Sequence, residues 1–250
     1  MKIKSDKQKI IHLTKTNSTN EDAWEYYARF GLEQQTVIWA DYQTQGRGMS
    51  GNKWSSESGK NLTFSLIIHQ NMGLRDHFFL LNQIVALALY DTVEYLGVQN
   101  LQLKWPNDLY MDGKKIAGVL IENRWANEQI QASVIGVGIN VNQKEFEFER
   151  AGSIYQQVRI EKNIEEVLHI FLEKWDDWFI AFQVKKMDKI RDSYCKNLMF
   201  YQKFHLYFIH KSQDYQNLKI VDVGSDGLLV LIDEKKNVKK YQFKEISPML

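Results

Sequence analysis

KWPNDLYMDGKKIAGVLIEN, residues 104–123, is the stretch on which the reading of this chain turns. Lys104 precedes Trp-Pro and is joined to Asn107 and Asp108. Proline restricts its own backbone and that of the residue before it, so this lysine sits on a stiff local chain and reads as a positioned charge. The branched, apolar run Ile116 to Ile121 reads as a strand, and Gln129 to Val141 as a second strand joined to it around Asn127. Together they predict a hairpin in an antiparallel or mixed sheet.

Working outward, Val37 to Ala40 and Leu62 to Ile68 are two more buried-strand runs, with a glycine-rich connection between them. Ser18 followed by Glu21 has capping-box spacing, which predicts a short helix carrying Ala23, Trp24, Tyr27 and Phe30 and stopped at Gly31. Apolar residues recurring every three or four positions from Leu74 to Leu96 predict a long helix ended near Gly97. A second stripe runs from Ile164 to Phe182. After about Asn197 the pattern becomes short alternating runs, His205 to Ile209, Leu218 to Val223, Leu228 to Ile232 and Lys240 to Phe243, which predicts a small all-β domain. The expected fold class is α+β, with a catalytic domain over 1–197 and a β domain over 198–250.

Composition narrows the function classes. At 44% hydrophobic and 25% charged, the 250 residues match a folded globule of one or two domains. A net charge of +1 gives no overall field for holding nucleic acid or anionic lipid. The single cysteine, Cys195, can form neither an internal disulfide nor a structural zinc site, and no motif surrounds it that marks a nucleophile. The basic start lacks an apolar stretch of signal-peptide length, and Phe78 to Leu89 is interrupted by Asn82 and Gln83, so a cytoplasmic protein is expected.

GRGMSGNKW, Gly46 to Trp54, matches G-x-G-x-x-G, a spacing shared by several phosphate-binding loops. A dinucleotide fold needs a helix to follow, and here a strand does. A Walker loop needs lysine directly after Gly51, where Asn52 stands. The kinase reading lacks its downstream H-R-D and D-F-G segments. What remains is a loop whose backbone N–H groups can approach an anion, with Arg47 and Lys53 adding positive charge.

Four segments in order, STN (18–20), YQTQGRGMSGNKW (42–54), KWPNDLYMDGKKIAG (104–118) and VIGVGINVN (134–142), resemble the biotin protein ligase family, and YQFKEI (241–246) resembles the end of its small C-terminal domain. The resemblance implies a class II aminoacyl-tRNA synthetase-like catalytic domain, a mixed sheet flanked by helices, and a C-terminal SH3-like barrel. It implies that Ser18, Thr19, Asn20, Gln43, Gly46, Arg47, Lys104, Gly118, Gly136 and Gly138 bind biotin. Gly48, Met49, Gly51, Lys53, Trp54, Asn107, Lys115 and Asn140 are implied for ATP or the adenylate, and Lys104, Arg47 and Asp108 for catalysis. ATP and Mg²⁺ join biotin as the small molecules of the reaction, no metal ligand is named, and the partner is a biotin carboxyl carrier domain. A homodimer is compatible with this; nucleic acid and membrane have no part.

These placements suit the chemistry. Biotin carries a ureido group with two donors and one acceptor, which hydroxyls, an amide and glycine backbone can satisfy. Trp54, Trp105, Ile116 and Ala117 are candidates for apolar surface, although each tryptophan taken alone reads as core. Joining two anions, the biotin carboxylate and ATP, calls for positioning and positive charge, with Lys104 first. Transfer calls for deprotonating a lysine that is neutral only about once in 2,500 molecules at pH 7; Asp108 is the candidate to receive or orient it. A lipoate or octanoate ligase is the nearest rival, separated by substrate binding and by the KWPND segment. A biotin-sensing repressor would need a DNA-binding domain ahead of Ser18, where only about seventeen residues stand. A non-catalytic biotin binder would have no use for Lys104 and Arg47.

Overall fold

The computed structural model describes residues 8–31, 34–69, 78–126 and 129–250. Seven strands form one sheet: β1 (Lys9–Leu13), β2 (Thr36–Ala40), β3 (Leu62–His69), β4 (Leu101–Lys104), β5 (Asp108–Met111), β6 (Lys114–Ala126) and β7 (Gln129–Ile139). Their order is β1-β2-β3-β7-β6-β5-β4. β1 runs parallel to β2 and every other neighbouring pair is antiparallel, so the sheet is mixed. The expected pairing of the strands around Asn127 is present, while Asn127 itself lies outside the described residues.

Period-two alternation along these strands sorts residues onto two covered faces. Val37, Phe64, Leu66, Ile135 and Val137 face α2 (Phe78–Tyr95) and α4 (Ile164–Gln183) in the main core. Ile38, Ile67 and Val134 face the other way, against Ala23 of α1 (Thr19–Phe30). Burial on both sides explains why β2 and β3 read as near-continuous apolar runs. The α4 stripe buries Val167, Leu168, Phe171, Leu172 and Trp175, and its start is capped by Asn163, whose side chain accepts the Glu166 N–H at 3.0 Å.

α1 ends as expected at Gly31, which has φ +66° and donates its N–H to the Tyr27 carbonyl at 2.9 Å. Its start differs from expectation. Ser18 is the N-cap, yet it is buried and its side chain makes no capping hydrogen bond, so the capping-box spacing is not used as one. α2 begins at Phe78; the expected start at Leu74 lies outside the described residues.

After two further short helices, α3 (Ile154–Val158) and α5 (Met187–Lys196), a five-stranded antiparallel sheet follows: β8 (Phe204–Ile209), β9 (Asp214–Val223), β10 (Leu229–Ile232), β11 (Val238–Tyr241) and β12 (Ile246–Pro248), ordered β11-β10-β9-β8-β12. It packs on the β4–β5 hairpin. Trp105 Nε1 donates to the Gly227 carbonyl at 3.1 Å, its ring meets Phe243 edge-on, and Met199 N–H reaches the Leu103 carbonyl at 2.7 Å. Buried residues of both sheets form one continuous core. Trp105 therefore joins the two sheets, and Ile116 and Ala117 are fully buried in the core; neither the tryptophan nor the pair lines the recess described below.

Candidate active site

The α1 face of the sheet carries small residues where the strands cross its centre. Ser65 on β3 pairs with Gly136 on β7, and Gly136 with Leu120 on β6; one step along, Thr63, Gly138 and Gly118 align. The missing side chains make room for others. A Cβ on Gly136 would stand 2.3 Å from Asn20 Oδ1, and one on Gly138 2.4 Å from the Trp54 ring. Two glycines thus let the first turn of α1 and the end of the glycine-rich loop lie on the sheet.

The result is a recess of about 50 Å³ lined by Ser18, Thr19, Asn20, Gln43, Arg47, Gly48, Met49, Trp54, Phe64, Asn107, Asp108, Lys115, Gly118, Val119, Leu120, Gly136, Val137 and Gly138. Binding sites for small molecules typically offer about 300–1,000 Å³, so a bicyclic ligand entering here must displace Trp54 or the loop beside it. An open groove of about 820 Å³ adjoins it, walled by Gly46, Gly51, Lys53 and Glu122 among others. A third cavity, about 530 Å³ between the two sheets, is lined by Lys104, Trp105, Asp108, Tyr207, His210 and Phe243 among others. Asp108 faces both this cleft and the recess.

The wall at α1 is tightly bonded. Gln43 Oε1 accepts the Thr19 N–H at 2.8 Å and lies 3.2 Å from its hydroxyl. Ser65 Oγ is 2.6 Å from Asn20 Oδ1 and 2.8 Å from Thr19 Oγ1. The loop opposite folds on itself: Arg47 bridges Lys53, Gly48 N–H reaches Asn52 O at 2.7 Å, and Trp54 N–H reaches Gly46 O at 2.9 Å around a 3₁₀ turn, Met49–Gly51. The Arg47 guanidinium lies 3.6 Å from Glu122 and 3.9 Å from Glu21. The Trp54 indole N–H is buried and has no hydrogen-bond partner among the described residues.

On the third side, Lys115 Nζ lies 2.6 Å from Asp108 Oδ1, in space left by Gly118. Asn107 ties the β4–β5 turn to β6 by donating from Nδ2 to the Val119 carbonyl. Lys104 pairs across the β4–β5 hairpin with Asp108 and sits 5.4 Å above the Tyr110 ring; it borders the cleft and not the recess. Burial pushes its amine below the ordinary lysine value; Asp108 opposes this, and Lys115 and Arg150 add to it. Asn140 stands apart from the recess, donating from Nδ2 to the Gly152 carbonyl at 2.9 Å. Arg124 lies over the Trp24 and Tyr27 rings of α1 at 5.1 and 5.4 Å.

Two residues of this constellation were not legible beforehand, Ser65 and Glu122. Glu122 falls inside the KKIAGVLIEN segment, two and four residues beyond Leu120 and Gly118, so strand alternation places it on the site's face. Ser65 sits in an apolar run that offers no polar signal of its own.

Residues 12–140, just over half of the chain, match the biotin/lipoate A/B protein ligase family model. The chain belongs to the biotin/lipoate A/B protein ligase family. Its most similar family members include the bifunctional ligase/repressor BirA of Bacillus subtilis, 33% identical over 141 residues, covering 56% of this chain and 43% of that protein. Another is the biotin–[acetyl-CoA-carboxylase] ligase of Paracoccus denitrificans, 33% identical over 131 residues, covering 52% and 53%. The chain thus spans about half the length of these curated relatives. Among solved structures, the family's biotin protein ligase from Aquifex aeolicus in complex with biotin and ATP superposes with a TM-score of 0.78 at 25% identity, over 96% of this chain and 98% of that one.

Proposed function

We propose that this member of the family is a biotin protein ligase: it joins biotin to ATP as biotinyl-5′-AMP and passes the biotinyl group to one lysine of a biotin carboxyl carrier domain. The observation that carries this is the convergence of four separated segments, 18–20, 43–54, 107–120 and 136–138, on one recess with hydroxyl and amide groups on one side and cations on the other. In the first step a carboxylate oxygen of biotin attacks the α-phosphorus of ATP and pyrophosphate leaves. Both partners are anions, so Arg47 at the mouth and Lys115 at the floor reduce their repulsion and favour the crowded transition state. In this reading Ser18, Thr19, Asn20 and Gln43 take the ureido ring. Gly48, Met49, Gly51, Lys53, Trp54 and Asn107 lie against the adenylate, and Lys104 supplies charge from the cleft side.

In the second step the carrier lysine nitrogen attacks the acyl carbon, AMP leaves and the amine loses a proton. Asp108 opens to both the recess and the cleft, so a lysine arriving from the cleft meets the anhydride beside this carboxylate. Among the described residues no cluster of three or more His, Cys, Asp or Glu stands ready for a metal. That fits a Mg²⁺ delivered on the triphosphate, which needs few protein ligands and serves to neutralise phosphate charge. The reading further takes residues 1–197 as a class II synthetase-like catalytic domain and 198–250 as an SH3-like barrel, in a cytoplasmic enzyme able to form a homodimer. Among the described residues no helix is long and apolar enough to cross a membrane.

The direct test is incubation with biotin, ATP, Mg²⁺ and a biotin carboxyl carrier domain, followed by intact-mass measurement. A gain of one biotinyl group on the carrier, dependent on all three small reactants, is expected; an unmodified carrier rejects the reading.

A further inference from the structure

Glu122 stands at the rim of the recess on β6, on the same sheet face as Gly118 and Leu120. Its Oε2 accepts from Asn20 Nδ2 at 3.0 Å and from Trp24 Nε1 at 3.1 Å. A carboxylate offers acceptors only, so Asn20 must turn its NH₂ toward Glu122 and its carbonyl oxygen toward Ser65. That oxygen cannot donate, and the single Ser65 proton is therefore committed to it across 2.6 Å. The Ser65 oxygen can then only accept at its 2.8 Å contact with the Thr19 hydroxyl. Gln43 Oε1 accepts the Thr19 backbone N–H at 2.8 Å and offers its second lone pair to the same residue's hydroxyl at 3.2 Å, so the Thr19 proton is taken within the wall by Ser65 or Gln43. With its own proton committed, the Thr19 oxygen presents only lone pairs to whatever enters.

We propose that Glu122 is a positioning residue that sets the direction of the hydrogen-bond chain Asn20–Ser65–Thr19, so that Thr19 meets a ureido N–H as an acceptor. The inference rests on the reading of the recess as a biotin site. Remove the acceptor at 122, and Asn20 is free to flip. Ser65 then donates to Thr19 and occupies a lone pair that would otherwise face the ligand's donor. The ligand chemistry selected is a cyclic urea or another ring N–H donor, and Glu122 acts on it through three intervening groups without touching it.

The carboxylate also lies 3.6 Å from Arg47, so loss of charge and loss of direction must be separated. Glu122→Gln removes the charge but keeps one oxygen for Asn20 and Trp24; Glu122→Met removes both. The test is calorimetric titration of the full chain and these variants with biotin and with biotin amide, which has the same urea and no carboxylate. Glu122→Met is expected to weaken both ligands by about tenfold, the scale of one misdirected hydrogen bond, while Glu122→Gln stays within about threefold. Ser65→Ala cuts the chain without touching Glu122 and is expected to weaken both ligands to a similar extent. Combining it with Glu122→Met should add little further loss, because both break one pathway. Equal loss in the Gln and Met variants, a loss confined to the acid, or normal binding by Ser65→Ala overturns the proposal; the last outcome does so even if Glu122→Met fails to fold. Failure of the unaltered chain to bind either ligand removes the biotin reading itself, and this inference with it.

Discussion

On one side of the recess Ser18, Thr19, Asn20 and Ser65 are at most 3% exposed, and Thr19, Asn20 and Ser65 are linked by hydrogen bonds of 2.6–2.8 Å; on the other, the Arg47 side chain is 41% exposed and held by ion pairs of 3.6 and 3.9 Å. Ion pairs between half-exposed groups contribute about 0–1 kcal/mol, so an arriving anion can draw Arg47 away at small cost. The α1 wall, in contrast, meets its ligand already ordered, which spares the cost of fixing side chains on binding. In the proposed function, recognition of a neutral ring falls to the ordered wall, and charge for the reaction to groups that can shift.

The strongest way to break this comparison is at Lys104, a half-buried cation beside the cleft. Lys104→Met is expected to slow adenylate formation by about a hundred- to a thousandfold, the usual cost of removing one preorganised charge, read as pyrophosphate release. Its stability effect has the opposite sign. The folded-state pKa is depressed below the ordinary 10.5, so the unfolded chain binds more protons between the two values and wild-type stability rises with pH across that window. The Met variant should therefore melt at a temperature equal to or higher than wild type at pH 7, with the difference closing as pH approaches 10.5. Near-normal pyrophosphate release would show that Lys115 and Arg47 suffice.

Damage to the ordered wall should appear in binding. Gly136→Ala drives a Cβ into Asn20 Oδ1 and is expected to weaken biotin by about ten- to a hundredfold, since overpacking costs roughly 1–3 kcal/mol. Unchanged affinity by calorimetry would mean that Asn20 moves aside without consequence.

The charged side can be sharpened instead of broken. Met49 lines the recess but offers neither charge nor forked donors to an anion there. Met49→Arg is expected to slow release of labelled biotinyl adenylate by about ten- to a hundredfold, the worth of one charge-assisted hydrogen bond. Equal or faster release means the loop is not short of a cation. The smallest effect belongs to Cys195, outside both sides of the recess. Burial, with Asp222 beside it, pushes its thiol up to about 12. Cys195→Ala should leave pyrophosphate release within about twofold, the neutral result for a buried, unreactive thiol.

How much of this was legible beforehand follows from what each residue advertises. Branched and apolar runs revealed β2, β3, β6 and β7, and helical stripes revealed α2 and α4, because burial against a large core leaves a periodic trace. β4 and β5 have four residues each, and β1 begins with lysine; such strands carry little periodicity and owe their place to partners distant in sequence. The glycines of 134–142 advertised a close approach, but only the fold says that Asn20 and Trp54 are what approach. Lys104 advertised a rigid charge. Its position on the cleft side of Asp108 depends on which edge of the hairpin the second sheet covers, and no local pattern encodes that.

The central claim, a neutral-ring wall ordered before any reaction, is tested most directly by titrating the purified chain with biotin and with lipoate in the absence of ATP. Biotin is expected to bind on its own, and lipoate, which has no ureido donors to offer Thr19, at least about tenfold more weakly. Lipoate binding as tightly as biotin, or more tightly, would contradict the account.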